Sequence, residues 1–303
     1  MRTNADRLIM ISVLGEVTNP SVRGYRITHE GQPVMLPGVG GITYNLRVGD
    51  PAVGWAADHA EPGVSLRNLM KDREDLPATN HGLNFLACVG NEATVITGDA
   101  KGAKGVVTGK HGGIEHVLVD FPPDTLEKLQ IGDKVGIKAY GVGLTLPDHP
   151  HVRVMNLDPR LLDRLPVWEE EGALVVGVAH EVPAAIMGSG LGADTCYHGD
   201  YDIQLFDPET VERYGLSDLR LGDLVAIRDT DHSFGRVYRP GALSIGIVVH
   251  SDCVVSGHGP GVTTLFTTRA PGALAFRIEP KANLADILGL SSSSGRSKKA
   301  AQA

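Results

Sequence analysis

The chain has 303 residues, 38 of them glycine, only 5% aromatic side chains and a net charge of −8. That length allows two domains or one large β-rich one, and the glycine content suits many tight turns better than long helices. An acidic chain with scattered basic residues argues against nucleic acid and anionic membranes as partners, and no apolar run approaches the ~20 residues of a membrane span.

Three cysteines, Cys88, Cys196 and Cys253, form no CxxC pair. An odd count without that spacing fits a reducing cytoplasm, where the protein is expected. Leu8 to Leu14 is apolar and short and reads as the first strand, followed to residue 60 by strands with Pro-Gly and Gly-Gly turns. Asp58-His59 reads as a surface loop, a functional role being the alternative. Ser65 to Leu76 spaces Leu66, Leu69, Met70 and Leu76 for a helix, with Ser65 as its cap and Pro77 as its end. Asn80-His81-Gly82 with Asn84 reads as a polar turn, a pocket-facing role being the alternative. Ala93 to Ile137 is a glycine-rich β region whose Gly–Lys pairs lack P-loop spacing, so they are hairpin turns.

An internal repeat follows. One copy runs from His111-Gly112-Gly113 through a strand, Phe121, a short helix and Leu129 to the Gly132-Asp133 strand. The other runs from His198-Gly199-Asp200 through a strand, Phe206, a short helix and Leu219 to the Gly222-Asp223 strand. Asp124 with Glu127 signals a capping box in the first, and Asp207 with Pro208 a capped start in the second. The second copy carries the additional Asp200, Asp202, Asp229, Asp231 and His232. Two similar lobes with one decorated copy would place a single site in the second lobe.

Between the copies, Leu161, Leu162 and Leu165 suggest a short helix and Ala173 to Ala179 a buried strand. The MGSGLG run at 187–192 reads as a loop without the helix a dinucleotide fingerprint needs, so no nucleotide cofactor is expected. Asn283 to Leu290 reads as a capped helix, and 291–303 as a disordered tail. The domains expected are a β-rich lobe over 1–150 holding the first copy and a β-rich lobe over 151–290 holding the second copy and the site.

The most informative stretch is Arg228 to Thr268. Ala242 to Val249 is uncharged and suits a buried strand. Leu243, Ile245, Ile247 and Val249 share one face, while Ser244, Gly246, Val248, His250 and Asp252 share the other. A charge in such a strand must be paired or metal-bound. Extended backbone in the H-G-D-Y-D run likewise puts His198, Asp200 and Asp202 on one side. The candidate metal ligands are therefore His198, Asp200, His250 and Asp252. Mixed imidazole and carboxylate ligands suit a divalent metal, zinc first and manganese or iron next. A hydrogen-bonded His–Asp network without metal would use the same residues. Asp231 and His258 are candidate general bases, and Gly257, Gly259 and Gly261 could bring main-chain N–H groups to a substrate.

Along most of its length, through LRLGDLVAIRDTDHSFGRVYRPGALSIGIVVHSD and GHGPGV, the chain resembles a bacterial and archaeal family, domain-of-unknown-function family 4438. That family name implies no activity. A more local resemblance is to the acetamidase/formamidase family, carried by His198-Gly199-Asp200-Tyr201-Asp202, Pro240-Gly241-Ala242-Leu243, His250 and Gly257-His258-Gly259 in that order. The chain departs from that pattern where Ile247 follows Gly246, where His258 replaces an acid and where Pro260 replaces a Glu. These departures leave the ligand set and the catalytic acid open. The expectation is a β-rich α+β protein of two related barrel- or sandwich-like lobes with few short helices. The resemblance and the ionisable cluster imply a metal-dependent hydrolase of a small amide or cyclic amide. A lyase or isomerase, or a non-catalytic small-ligand-binding protein, are the other classes. Exposed edges in such a scaffold suit a homo-oligomer.

Overall fold

The computed structural model describes residues 1–22, 24–70, 79–190 and 196–290. The expected tail, 291–303, lies outside the described residues. In the first lobe the elements are β1 (Ile11–Val17), the ribbon β2 (Arg26–Ile27) and β3 (Pro33–Val34), β4 (Ile42–Thr43), β5 (Gly63–Arg67), α1 (Thr79–Leu86), β6 (Glu92–Val95), β7 (Lys104–His111), β8 (His116–Asp120), α2 (Pro123–Leu126) and β9 (Lys134–Ala139). Their spatial order is β1-β9-β6-β7-β8-β5, and β1 pairs back onto β5. The result is a closed six-stranded barrel with β4 added beyond β5. Alternate residues fill it: Val64 and Leu66, Val117 and Val119, Val135 and Ile137 all belong to one buried cluster.

The helix expected from Ser65 to Leu76 does not begin there. Gly63–Arg67 is strand β5, because Val64 and Leu66 point into the barrel two residues apart. The Ser65 hydroxyl donates to Glu61 instead of capping a helix. Residues 71–76 of that span lie outside the described residues. The first helix is α1, formed by the Asn80–Asn84 run expected to be a turn, with Leu83 buried in the barrel core. Helix α2 starts behind Pro122 with no side-chain cap, so the expected capping box is absent.

The second lobe comprises β10 (Arg153–Val154), α3 (Pro159–Leu162), β11 (Val167–Glu170), β12 (Ala173–Val178), β13 (His180–Val182), β14 (Met187–Gly190), β15 (Tyr201–Ile203), α4 (Pro208–Tyr214), β16 (Leu224–Asp231), β17 (Val237–Val248), β18 (Gly261–Thr268), β19 (Leu274–Ile278) and α5 (Leu284–Leu288). A curled half-barrel sheet runs β13-β16-β17-β18-β15-β14, with β10 on β18, and β11-β12-β19 form a smaller sheet. Met187–Gly190 is thus a strand where a loop over 187–192 was expected, and residues 191–192 lie outside the described residues. Helices α4 and α5 start as the sequence predicts: Asp207 accepts from the Thr210 N–H and Asn283 from the Ala285 N–H. The expected β-rich α+β class holds, with two lobes and, among the described residues, five short α-helices.

The strand–helix–strand units of the repeat occupy matching places. In the barrel the order is β8-β7-β6-β9; in the half-barrel it is β15-β18-β17-β16. All neighbours within each set of four are antiparallel. The chain enters them differently, since β6 and β7 precede the unit in the first lobe whereas β17 and β18 follow it in the second. Beyond the set, β9 meets β1 antiparallel, whereas β16 meets β13 in parallel.

The lobes are sewn together by two segments. Residues 46–60 leave the barrel and pack into the second lobe, where Leu46, Ala52, Ala57 and Ala60 share a core with Val182, Tyr201, Ile203 and Val248. Their backbone pairs with 250–252: Ser251 N–H donates to Ala60 C=O, His59 N–H to Asp252 C=O and Asp252 N–H to Ala52 C=O. Strand β7 leans on β18, where the Thr263 hydroxyl donates to the Lys110 carbonyl. A Cβ at Gly109 would lie 2.2 Å from Val249 Cγ1, so only glycine permits this approach. Among the described residues, no helix is long and apolar enough to cross a membrane.

Candidate functional site

The seam lines a cleft of about 230 Å³ with seven ionisable side chains: Arg26, Asp58, His59, His111, Asp200, Asp202 and His258. His250 stands directly behind Asp200. Each is delivered by a specific piece of backbone. His111 ends β7, Asp200 directly precedes β15, Asp202 lies on it, and His250 follows the end of β17. His59 is held in the left-handed region at φ 58, an uncommon conformation for a non-glycine residue. Asp202 faces the cleft because side chains alternate along β15, where Tyr201 turns into the core, and Asp200 just before the strand is held by the Gly112 N–H.

His111, Asp200 and His250 place one ligand atom each within 4.8 Å of one another, as do His59, Asp202 and His258. In the first group His250 Nε2 lies 2.7 Å from Asp200 Oδ2, and the His111 and His250 rings stack with centroids 4.1 Å apart. The remaining ring nitrogens are already committed. His250 Nδ1 lies 2.9 Å from the Ser251 carbonyl and donates to it. His111 Nδ1 donates to Glu61 Oε1 over 2.6 Å. Nε2 of each ring is therefore the nitrogen open to an ion. An imidazole fixed through its second nitrogen to a carboxylate or carbonyl is the usual arrangement around a bound metal.

Glu61 is the buried anchor of this arrangement, with no exposed surface. It accepts from His111, His116, the Ser65 hydroxyl and the Gly40 N–H. Full burial pushes its carboxyl up, but His116 and His111 outweigh this and hold it well below the usual range. Burial likewise opposes charge on His250, yet Asp200 and Asp202 hold its imidazole well above the ordinary value. A divalent ion among His111, Asp200 and His250 would offer these carboxylates a cationic partner in place of a protonated ring. Gly261 completes the cradle. A Cβ there would lie 1.8 Å from Asp200 Oδ2 and 2.2 Å from His250 Nε2.

Of the residues selected from sequence, Asp200 and His250 meet in the first group and His258 stands in the second. His198 and Asp252 are not in either group. Only the end of the H-G-D-Y-D run is strand, so alternation does not extend to His198, whose ring packs edge-on against His81 with centroids 4.0 Å apart. Asp252 turns toward the 46–60 segment, where its Oδ2 accepts from the Gly54 N–H. Asp231 lies near Arg239 and Arg269 and accepts from the Ser233 N–H, and it does not line the cleft. Gly261 faces the ligand atoms. Gly259 permits a close approach to the Ile203 carbonyl, and the Gly257 carbonyl accepts from the Ser189 N–H.

The cluster also draws on the first lobe, which the repeat comparison did not suggest. His59, Glu61 and His111 were not selected as ligands, and Asp58-His59 is buried rather than a surface loop. The signal available was the shared H-G pair of the two copies: His111 of the first lies in one cluster with Asp200 of the second.

Residues 25–163 match the family model described as domain of unknown function (DUF4438), N-terminal, and residues 164–288 match its C-terminal counterpart. No curated protein matches the chain. The crystal structure of TM1086 is similar, with 49% sequence identity over 94% of this chain and 98% of that one and a TM-score of 0.87. With both models matched in order over most of its length, the chain belongs to the DUF4438 family.

Proposed function

We propose that the protein is a metal-dependent hydrolase of a small amide or cyclic amide, with zinc as the first candidate ion and manganese or iron as alternatives. The observation that carries this reading is the convergence of His111, Asp200 and His250 behind the cleft floor, with the outer nitrogen of both rings tied off. A divalent ion there would supply a Lewis acid for a carbonyl and acidify a water molecule.

The chain's own groups account for the rest. Asp200 is oriented by the Gly112 N–H, which donates to Oδ1 and leaves Oδ2 toward His250. His258, about one-third exposed at the cleft, lies 2.9 Å from Asp202 through Nδ1 and is placed to take a proton and return it to a leaving nitrogen. Val34, Leu36, Val39 and Ile114 give the cleft apolar walls, and its volume suits a small substrate. The local acetamidase/formamidase resemblance supports an amide as the bond cleaved. The test is turnover of a panel of small linear and cyclic amides by metal-loaded protein. Activity that requires the ion and falls to background in His250→Ala is expected. Stoichiometric metal with no turnover on any amide would favour a lyase, an isomerase or a binding protein.

A further inference from the structure

We propose that the cleft floor is built for two divalent ions, the second held by His59, Asp202 and His258, with Asp202 bridging it to the first. The inference rests on the metal reading above and adds to it a second ion at a site of its own.

Three observations carry it. The first is spacing. His258 Nδ1 lies 2.9 Å from Asp202 Oδ2 and 3.3 Å from His59 Nε2, and His59 Nε2 lies 4.0 Å from Asp202 Oδ2. Ligands at 2.0–2.1 Å from a tetrahedral or octahedral ion stand roughly 2.9–3.4 Å apart, so two edges of this triangle already match and the third needs a small closure. The second is orientation. His59 Nδ1 donates to Asp58 Oδ1 over 3.0 Å, which leaves Nε2 as the open nitrogen, as Glu61 does for His111. The third is the bridge. The oxygens of Asp202 face different groups: Oδ2 faces His258, and Oδ1 lies 3.6 Å from His250 Nε2. One carboxylate spanning two adjacent ion positions is the arrangement of two-metal hydrolytic sites.

The neighbouring trio of Asp58, His59 and Cys253 is the rival location. It is the weaker one, because Asp58 already accepts from His59 and from the Cys253 thiol and pairs with Arg26 at 3.1 Å. With the second position filled, His258 is a ligand, and the proton-acceptor role given to it above belongs to the one-ion protein.

The experiment is titration of the chelator-stripped full-length protein with Co²⁺, read by calorimetry for stoichiometry and by electron paramagnetic resonance for coupling between ions. The expected result is about two equivalents per chain, with signal loss from spin coupling as the second binds. His258→Ala should take up about one equivalent and lose the coupling, Asp202→Asn should lose the coupling, and Cys253→Ala should keep both ions. Circular dichroism of each apo variant reports folding independently. One equivalent in the native sequence overturns the second ion and leaves the single-metal hydrolase standing. No uptake overturns both. Two equivalents that survive His258→Ala, or fall to one in Cys253→Ala, overturn the assignment of ligands.

Discussion

His232 is wholly buried, with Nδ1 2.8 Å from the Thr264 hydroxyl and its ring 4.4 Å from that of Tyr201. Burial, reinforced by Arg236, pushes its pKa down to about 3. The unfolded chain protonates the same ring near its ordinary value, so below about pH 6.5 the unfolded state binds the extra proton. The stabilisation is therefore complete above that pH and is lost as pH falls toward 3. Between pH 7 and 5 the loss is on the order of 2 kcal/mol. Urea melts across that range should show it, and His232→Gln should flatten that part of the slope; an unchanged slope would contradict the burial argument. His250 was legible because an imidazole closing an uncharged strand needs a partner. His59 was not, since what buries it is backbone pairing with residues about two hundred positions away. Asp231 was a candidate general base in sequence, but its neighbours Arg239 and Arg269 are brought to it only by the fold.

At the scale of elements, the legible features were those set by local rules. Capped starts at Asp207 and Asn283 and the buried run of β17 follow from hydrogen-bonding side chains and apolar patterning. The start of the helix expected over Ser65–Leu76 was misread because Leu66 serves a period of two with Val64, not a period of three or four. Strand β7 illustrates what sequence alone withholds. Its Gly109 reads as a hairpin glycine, yet it is the contact point with Val249 of the other lobe. Gly109→Ala should cost about 1–3 kcal/mol by overpacking this seam. Pairing it with Val249→Ala should recover part of that loss, giving a favourable coupling energy in a double-mutant cycle. Strictly additive destabilisation would show that the lobes do not press together there.

On the scale of the whole molecule, the two lobes share a four-strand arrangement but neither holds the cluster alone. His59 and His111 come from the first lobe and Asp200, Asp202, His250 and His258 from the second, so an ion at the floor would also tie the lobes together. The repeat was legible as residue order; that its lobes face each other across a shared site was not, because the pairing of 46–60 with 250–252 leaves no periodic trace. The central claim, a divalent-ion site built across this seam, is tested most directly by the zinc affinity of the stripped protein, measured by calorimetry for the native sequence, His111→Ala and Glu61→Gln. The account predicts tight binding by the native sequence and loss of the first ion in His111→Ala. It also predicts affinity weakened roughly 10–100-fold in Glu61→Gln, which leaves the ligands in place but loosens the His111 ring. No zinc uptake, or an affinity that His111→Ala leaves unchanged, would contradict it.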